Sequence, residues 1–336
     1  MKRSPFIVSG LVLGALTVLS VVRGADAQTA PAPRLLSVAT LAPAGSTWMR
    51  GLEAWNRELR RRTNGALGLR IYPGGVQGDE REVVQKIRNH RLDGGAVTAV
   101  GLSQVHRPTL TFQMPGMFHT YAQLDAARAG TNTDIVHAFE AAGFSFMGWA
   151  DVGFGRIFSR VPVRTPSDLR NTHPYVWRDD LVMPTFYEVA NVRPVPLQLP
   201  EVLSALQTNR IDSFLTTPVA AVSLQWSTRA THMLDDNLSV VVGATVFSRQ
   251  AVESLPADQQ TALRESATQA HQLLIRNLRR DEDLAVRSMA NRGITITTIT
   301  DAERAQWNTV TAQTRQRLVG RIADAAFVTR VQGLAH

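Results

Sequence analysis

The chain has 336 residues, a formal net charge of +8 and no cysteine, which excludes thiol nucleophiles and thiolate metal sites. That length exceeds one ordinary core and predicts about two domains, which can fold without disulfides. The positive charge is nearly all arginine. Its densest clusters, Arg60-Arg61-Arg62 and Arg276/Arg279/Arg280, fall on predicted helices beside acidic residues, a pattern of solvated helix faces rather than a nucleic-acid groove.

Lys2 and Arg3 precede an uncharged apolar run, Phe6 to Val22, and Ala25-Asp26-Ala27 follows. This is the layout of a secretory signal peptide over residues 1–27, cleaved near Ala27, so the mature chain is expected to be exported. Leu35 to Leu41 reads as a strand, Ser46 as an N-cap, and Trp48, Leu52, Trp55 and Leu59 as one helical face ending at Asn64-Gly65. Leu67, Leu69 and Ile71 alternate into a second strand before Pro73-Gly74-Gly75. A helix around Val83, Val84 and Ile87 follows, and then a buried strand over Gly94 to Leu102.

Phe144 to Ser159 is strand-rich, Thr165 to Asp168 marks a turn, and Pro174 to Trp177 is a short strand. Leu181 to Ala190 reads as helical, Val195 to Leu199 as extended, and Pro200 as the opening of a helix. Ile211 to Thr216 is a strand and Pro218 to Trp226 a helix. This alternation predicts a mainly parallel sheet covered by helices. From Pro256 to Asn291 there is no Pro or Gly, and Leu263, Ala267, Ala270, Leu274 and Leu278 recur at steps of three and four. One such helix would reach about 50 Å, beyond a single domain; two helices broken near Arg280-Asp281 would not. A strand over Ile294 to Ile299 and a last helix after Asp301 complete the chain. With no long linker, the two domains must be joined by several short crossings, as in a hinged clamshell.

Signatures of catalysis are missing: no G-x-S-x-G, H-E-x-x-H, P-loop or strand-borne G-x-G-x-x-G occurs, and no two histidines stand three to five residues apart. Hence no catalytic residue, metal site or cofactor is assigned.

The stretch Val195-Pro196-Leu197, Glu201-Val202-Leu203-Ser204-Ala205-Leu206-Gln207-Thr208-Asn209 and Ile211-Asp212 resembles the signature of DctP-type solute-binding proteins of TRAP (tripartite ATP-independent periplasmic) transporters. Leu36 to Pro43, Tyr72-Pro73-Gly74-Gly75, Asp79-Glu80, Leu92-Asp93-Gly94 and Ser254-Leu255-Pro256 support it, so that the likeness covers nearly all of the mature chain. The resemblance implies a two-lobe α/β periplasmic-binding-protein clamshell with a hinge and a long helix spanning both lobes. It places 34–152 with 243–283 in lobe I and 153–242 with 284–330 in lobe II. It also implies that a small organic solute is captured in the interlobe cleft and delivered to TRAP membrane subunits. An enzyme such as a lyase or isomerase, or a clamshell sensor, is the alternative; a clustered acid–base pair would mark the enzyme.

Many members of that family hold a ligand carboxylate with an arginine whose place here falls on Val176, within Pro174-Tyr175-Val176-Trp177-Arg178-Asp179. Strand alternation would put Arg178 on the same face about 7 Å away; the other reading pairs it with Asp179 in solvent. Arg156 and Thr40 match cleft positions, Arg156 being otherwise an interdomain ion pair. Thr216 and Thr217 stand where relatives carry Asn, although Thr217 also suits a helix cap. Trp177, Leu199, Phe214 and Trp226 are candidates for an apolar wall or for the core. These departures exchange charge recognition for apolar surface, so the expected ligand is less anionic, or larger and more apolar, than a C4-dicarboxylate.

Overall fold

The computed structural model describes residues 32–335, so the signal-peptide reading falls outside the described residues. Strand β1 (Arg34–Thr40) sends Leu36 and Val38 into the core. Ser46 then caps α1 (Thr47–Arg62) by accepting from the Met49 N–H, and Met49, Leu52, Trp55 and Leu59 form its buried face. Next come β2 (Leu67–Tyr72), α2 (Glu80–Arg88) and β3 (Gly94–Thr98). The run expected as one strand to Leu102 is corrected here. The Thr98 hydroxyl accepts from the Val100 N–H and caps a short α3 (Ala99–Leu102), which turns the backbone out of the sheet.

The middle holds α4 (Tyr121–Ala141), β4 (Phe144–Ser159), α5 (Pro166–Leu169), β5 (Tyr175–Trp177) and α6 (Met183–Val189). After them stand β6 (Val195–Leu197), α7 (Val202–Gln207), β7 (Ser213–Thr216), α8 (Pro218–Ser223) and β8 (His232–Leu234). The chain closes with β9 (Ser239–Ser248), α9 (Arg249–Glu253), α10 (Ala257–Asn291), β10 (Thr295–Thr297), α11 (Asp301–Leu318) and α12 (Ala325–Leu334).

The main sheet runs β10-β8-β4-β9-β3-β1-β2, with β7 also paired to β4, and β5 and β6 form a small sheet of their own. It is mixed rather than mainly parallel. The pairs β1–β2, β1–β3 and β8–β10 are parallel, while β3–β9, β4–β9, β4–β7 and β4–β8 are antiparallel. The reason lies in two long strands. β4 leaves the first lobe for the second and β9 returns, so the two must run in opposite directions along their shared length, from Phe144↔Ser248 to Gly155↔Ser239. The end of β4 then pairs with β7 and β8 in the second lobe. Between the halves β4 is interrupted by a register shift at Asp151/Gly153, where Gly153 has φ +125°, a conformation that favours glycine.

Helix α10 is a single rod of 35 residues, not two. Its Leu263 and Ala267 pack with Val38, Trp55 and Leu69, whereas its Met289 packs with Phe158, Leu206 and Phe214. Between them Leu274, Leu278 and Ala285 form a third cluster with Val219, flanked by Trp48 and Ala150. One helix therefore seals the cores on both sides of the crossing strands, as the two-lobed reading requires.

Candidate functional site

A cavity of about 190 Å³ lies between the two halves. The first contributes Thr40, Leu41 and Pro43 after β1, Trp48 and Leu52 from α1, and Val97 and Thr98 from β3. The second contributes Tyr175, Val176 and Trp177 from β5, together with Leu199, Leu215, Thr216 and Trp226. Val152, Val240, Val241, Gly243 and Ala244, from the crossing strands, and Leu274 from the long helix line it as well. A guest would touch both lobes and both crossings at once, the geometry by which closure and occupancy become linked.

Of the residues singled out from the sequence, Thr40, Val176, Trp177, Leu199, Thr216 and Trp226 come together on this wall. Trp226 is fully buried there, edge-on to Tyr175 at 5.5 Å. The Thr40 oxygen accepts from the Ala42 N–H at 3.2 Å, which leaves its own proton free to donate.

The other four are placed elsewhere. Strand β5 ends at Trp177, so the alternation that would carry Arg178 onto the face of Val176 stops one residue short. Arg178 instead pairs with Glu201 at 3.1 Å on an exposed outer seam, and its neighbour Asp179 pairs with Arg81. Arg156 is held by Asp235 at 2.9 Å and by Asn237 at 3.3 Å. Phe214 alternates away from Leu215 and stacks on Phe158 at 5.1 Å inside the core. Thr217 accepts from the Ala220 N–H and caps α8.

Several lining residues had no functional signal. Trp48 and Leu52 read simply as one helical face, and nothing in the sequence singles out Asp180. Gln113, Val240, Val241, Gly243 and Ala244 lie in stretches with no clear period. Closure of the two lobes is what turns these into one surface.

Three acidic residues, all buried, are among those that line the cavity, which include no Lys or Arg. Asp151 is fully buried and doubly paired, with Arg128 at 2.5 Å and Arg279 at 2.7 Å. Glu80 accepts from the Thr98 N–H at 2.7 Å, the Thr98 hydroxyl at 2.8 Å and the Gly101 N–H at 2.8 Å. Burial nonetheless pushes its carboxyl up to about 7. Asp180 accepts from the backbone N–H groups of Val182 and Met183 and is likewise raised by burial. Neither Glu80 nor Asp180 has a cationic partner, so the wall offers an anionic guest apolar surface and two carboxyl groups. Among the described residues, no cluster of three His, Asp or Glu side chains is arranged to hold a metal ion.

The model of bacterial extracellular solute-binding protein family 7, DctP, matches residues 38–320. The 2,3-diketo-L-gulonate-binding periplasmic protein of Escherichia coli is 25% identical over 271 residues, covering 74% of this chain and 76% of that protein. The C4-dicarboxylate-binding periplasmic protein of Rhodobacter capsulatus is 22% identical over 268 residues, covering 77% and 79%. Among solved structures, a TRAP periplasmic solute-binding protein of Shewanella oneidensis with bound succinate superposes with a TM-score of 0.85 at 16% identity, covering 91% of this chain and 100% of that one. One of Ralstonia eutropha with bound (S)-2-acetolactate gives 0.84 at 20% identity, covering 90% and 98%.

Proposed function

Since the chain belongs to the DctP family of bacterial extracellular solute-binding proteins, we propose that it captures a small, uncharged and largely apolar organic solute and hands it to the membrane subunits of a TRAP transporter. On this reading residues 1–27 are a signal peptide and the mature protein works in the periplasm. Lobe I is 34–152 with 243–283, and lobe II is 153–242 with 284–330. The family binds solutes and is not one of enzymes, and no helix among the described residues is long and apolar enough to cross a membrane.

The solute class rests on one observation: the cavity wall carries carboxyl groups and no cation. The relatives named above bind acids or were solved with acids in place. An anion entering this cavity would lose its hydration and gain no cationic partner, a cost of several kcal/mol. An uncharged guest loses little water and covers Trp177, Leu199, Leu215 and Trp226, at about 25 cal/mol per Å² of apolar area buried. Thr40 and Thr216 supply hydroxyls that orient it.

The test is calorimetric titration of the purified mature protein with two panels matched in size, one of carboxylates including succinate and galacturonate, the other of neutral alcohols, amides, ketones and lactones. Micromolar or tighter binding confined to the neutral panel is expected. Tight binding of a carboxylate would overturn the assignment.

A further inference from the structure

Asp79 stands at the N-cap of α2, in the first lobe, and its carboxylate is divided between two tasks. One oxygen accepts from the Glu80 N–H at 2.7 Å and closes a capping box with Glu82. The other accepts from the Trp177 indole N–H at 3.0 Å and from the Leu199 N–H at 3.3 Å, both in the second lobe. Two residues further on, Arg81 reaches Asp179 at 3.3 Å across the same seam. Trp177 and Leu199 are also cavity walls, so the carboxylate holds from behind two residues that a guest would touch from the front.

We propose that Asp79 is the latch between the lobes: through Trp177 and Leu199 it positions the second-lobe wall and sustains a closed population by protein contacts alone. The inference rests on the two-lobed clamshell and is independent of which solute enters. A latch of this kind suits a reversible clamp. Asp79 is 2% exposed when the bonds are made, and burial raises its carboxyl. The cost of taking it out of water therefore offsets much of what the charge-assisted bonds contribute. Closure by the latch alone stays marginal, and a guest packed on Trp177 and Leu199 supplies the remainder. Glu80 and Asp180, buried carboxyl groups that line the cavity, lack this property and bond only within their own lobes.

The experiment separates capping from latching. Asp79→Ser keeps a good N-cap for α2 but is too short to reach Trp177. Trp177→Phe keeps an aromatic wall and removes the donor. Because the chain has no cysteine, a single nitroxide can be placed at Asn89→Cys on the exposed end of α2. Paramagnetic relaxation of the amide protons of Val195, Leu197, Gln198 and Leu199 then reports the closed fraction, in protein unfolded in guanidinium, stripped of solute and refolded. Wild type should show relaxation across the cleft. Trp177→Phe should lower the closed fraction about fivefold, as expected for the loss of about 1 kcal/mol. Asp79→Ser, which also loses the Leu199 bond, should lower it at least as far, and the double variant should fall no further than Asp79→Ser, since the Trp177 bond is already gone. Unchanged relaxation in Asp79→Ser, fully additive losses, or no cross-cleft relaxation in wild type would each overturn the proposal. None of these outcomes bears on the calorimetric panels, so the latch and the solute class fail separately.

Discussion

Arg279 of the long helix and Asp151 of the crossing strand are bonded at 2.7 Å beside the irregularity that interrupts β4 between the lobes. Asp151 is wholly inaccessible and is shared with Arg128 of α4, itself almost fully buried, while Arg279 turns its other nitrogens to Asp125. Two helices, α4 and α10, and the strand β4 thus meet on one carboxylate beside the register shift.

Asp151→Ala leaves Arg128 buried without a counter-ion. Its Nε already lacks a partner, so no spare bond can absorb the loss. A fall in unfolding free energy of about 3–5 kcal/mol is expected, seen as a lower urea midpoint. Arg279→Met, which keeps the aliphatic stem and removes a partly exposed head, should cost clearly less. Equal losses in the two variants would contradict a buried Arg128–Asp151 pair as the centre of the cluster.

The two hydroxyls of the wall separate binding from stability. Thr216→Val is nearly isosteric and changes a residue of β7 that lines the cavity. It should weaken binding of whichever neutral solute the titrations identify by about fivefold, the worth of one hydrogen bond, with the thermal midpoint unchanged. Thr40→Val removes an acceptor of the Ala42 N–H as well and should lower both affinity and midpoint. Circular dichroism melts beside calorimetry distinguish the two patterns.

Glu80 gives a pH signature. Its carboxyl is raised to about 7 in the folded chain by burial, against about 4.5 for the free side chain. The folded state therefore holds a proton that the unfolded state has released between those values. Stability linked to this group is full below about 4.5 and declines as pH rises toward 7, with a slope of at most about 1.4 kcal/mol per pH unit. Urea unfolding of wild type and Glu80→Gln across that window should show a shallower decline in the variant, whatever its absolute stability. Parallel curves would mean that Glu80 is ionised in the native state throughout.

Much of the architecture can be read from residue pattern. The caps at Ser46 and Asp79, the proline at the start of α8 and the unbroken run of α10 mark their elements locally. Two elements carry no such mark. Helix α4 buries Arg128 and Thr131 on the same face as Leu124, Ile135 and Phe139, so its apolar period is blurred by a charge that only the distant Asp151 makes tolerable. Strand β9 is buried along nearly its whole length and shows no alternation. Missing it made the sheet look parallel. At the site, Val176 and Thr216, singled out by the resemblance to DctP-type proteins and not by strand period, do line the cavity. Arg178 does not, because β5 ends a residue before it, and the cavity role of Trp48 and Asp180 exists only once the lobes meet.

The long helix carries the last prediction. If α10 belonged to one lobe, a destabilising change in one core would leave the melting of the other untouched. The packing says otherwise: Leu263 is fully buried among first-lobe side chains, Met289 is 1% exposed among second-lobe ones, and uninterrupted helix joins them. Ending the helix at its middle would strip side chains from both cores, so neither half gains by unfolding alone. Leu263→Ala and Met289→Ala should each cost about 2–5 kcal/mol, and in both variants calorimetry should show one transition, moved down as a whole, with the calorimetric and van't Hoff enthalpies in agreement. Resolution of either variant into two peaks would show the lobes unfolding independently and the helix fraying between them. Arg280→Pro supplies the converse: a proline at this point breaks the rod at a cost of about 3 kcal/mol or more, and it should divide the single transition into two.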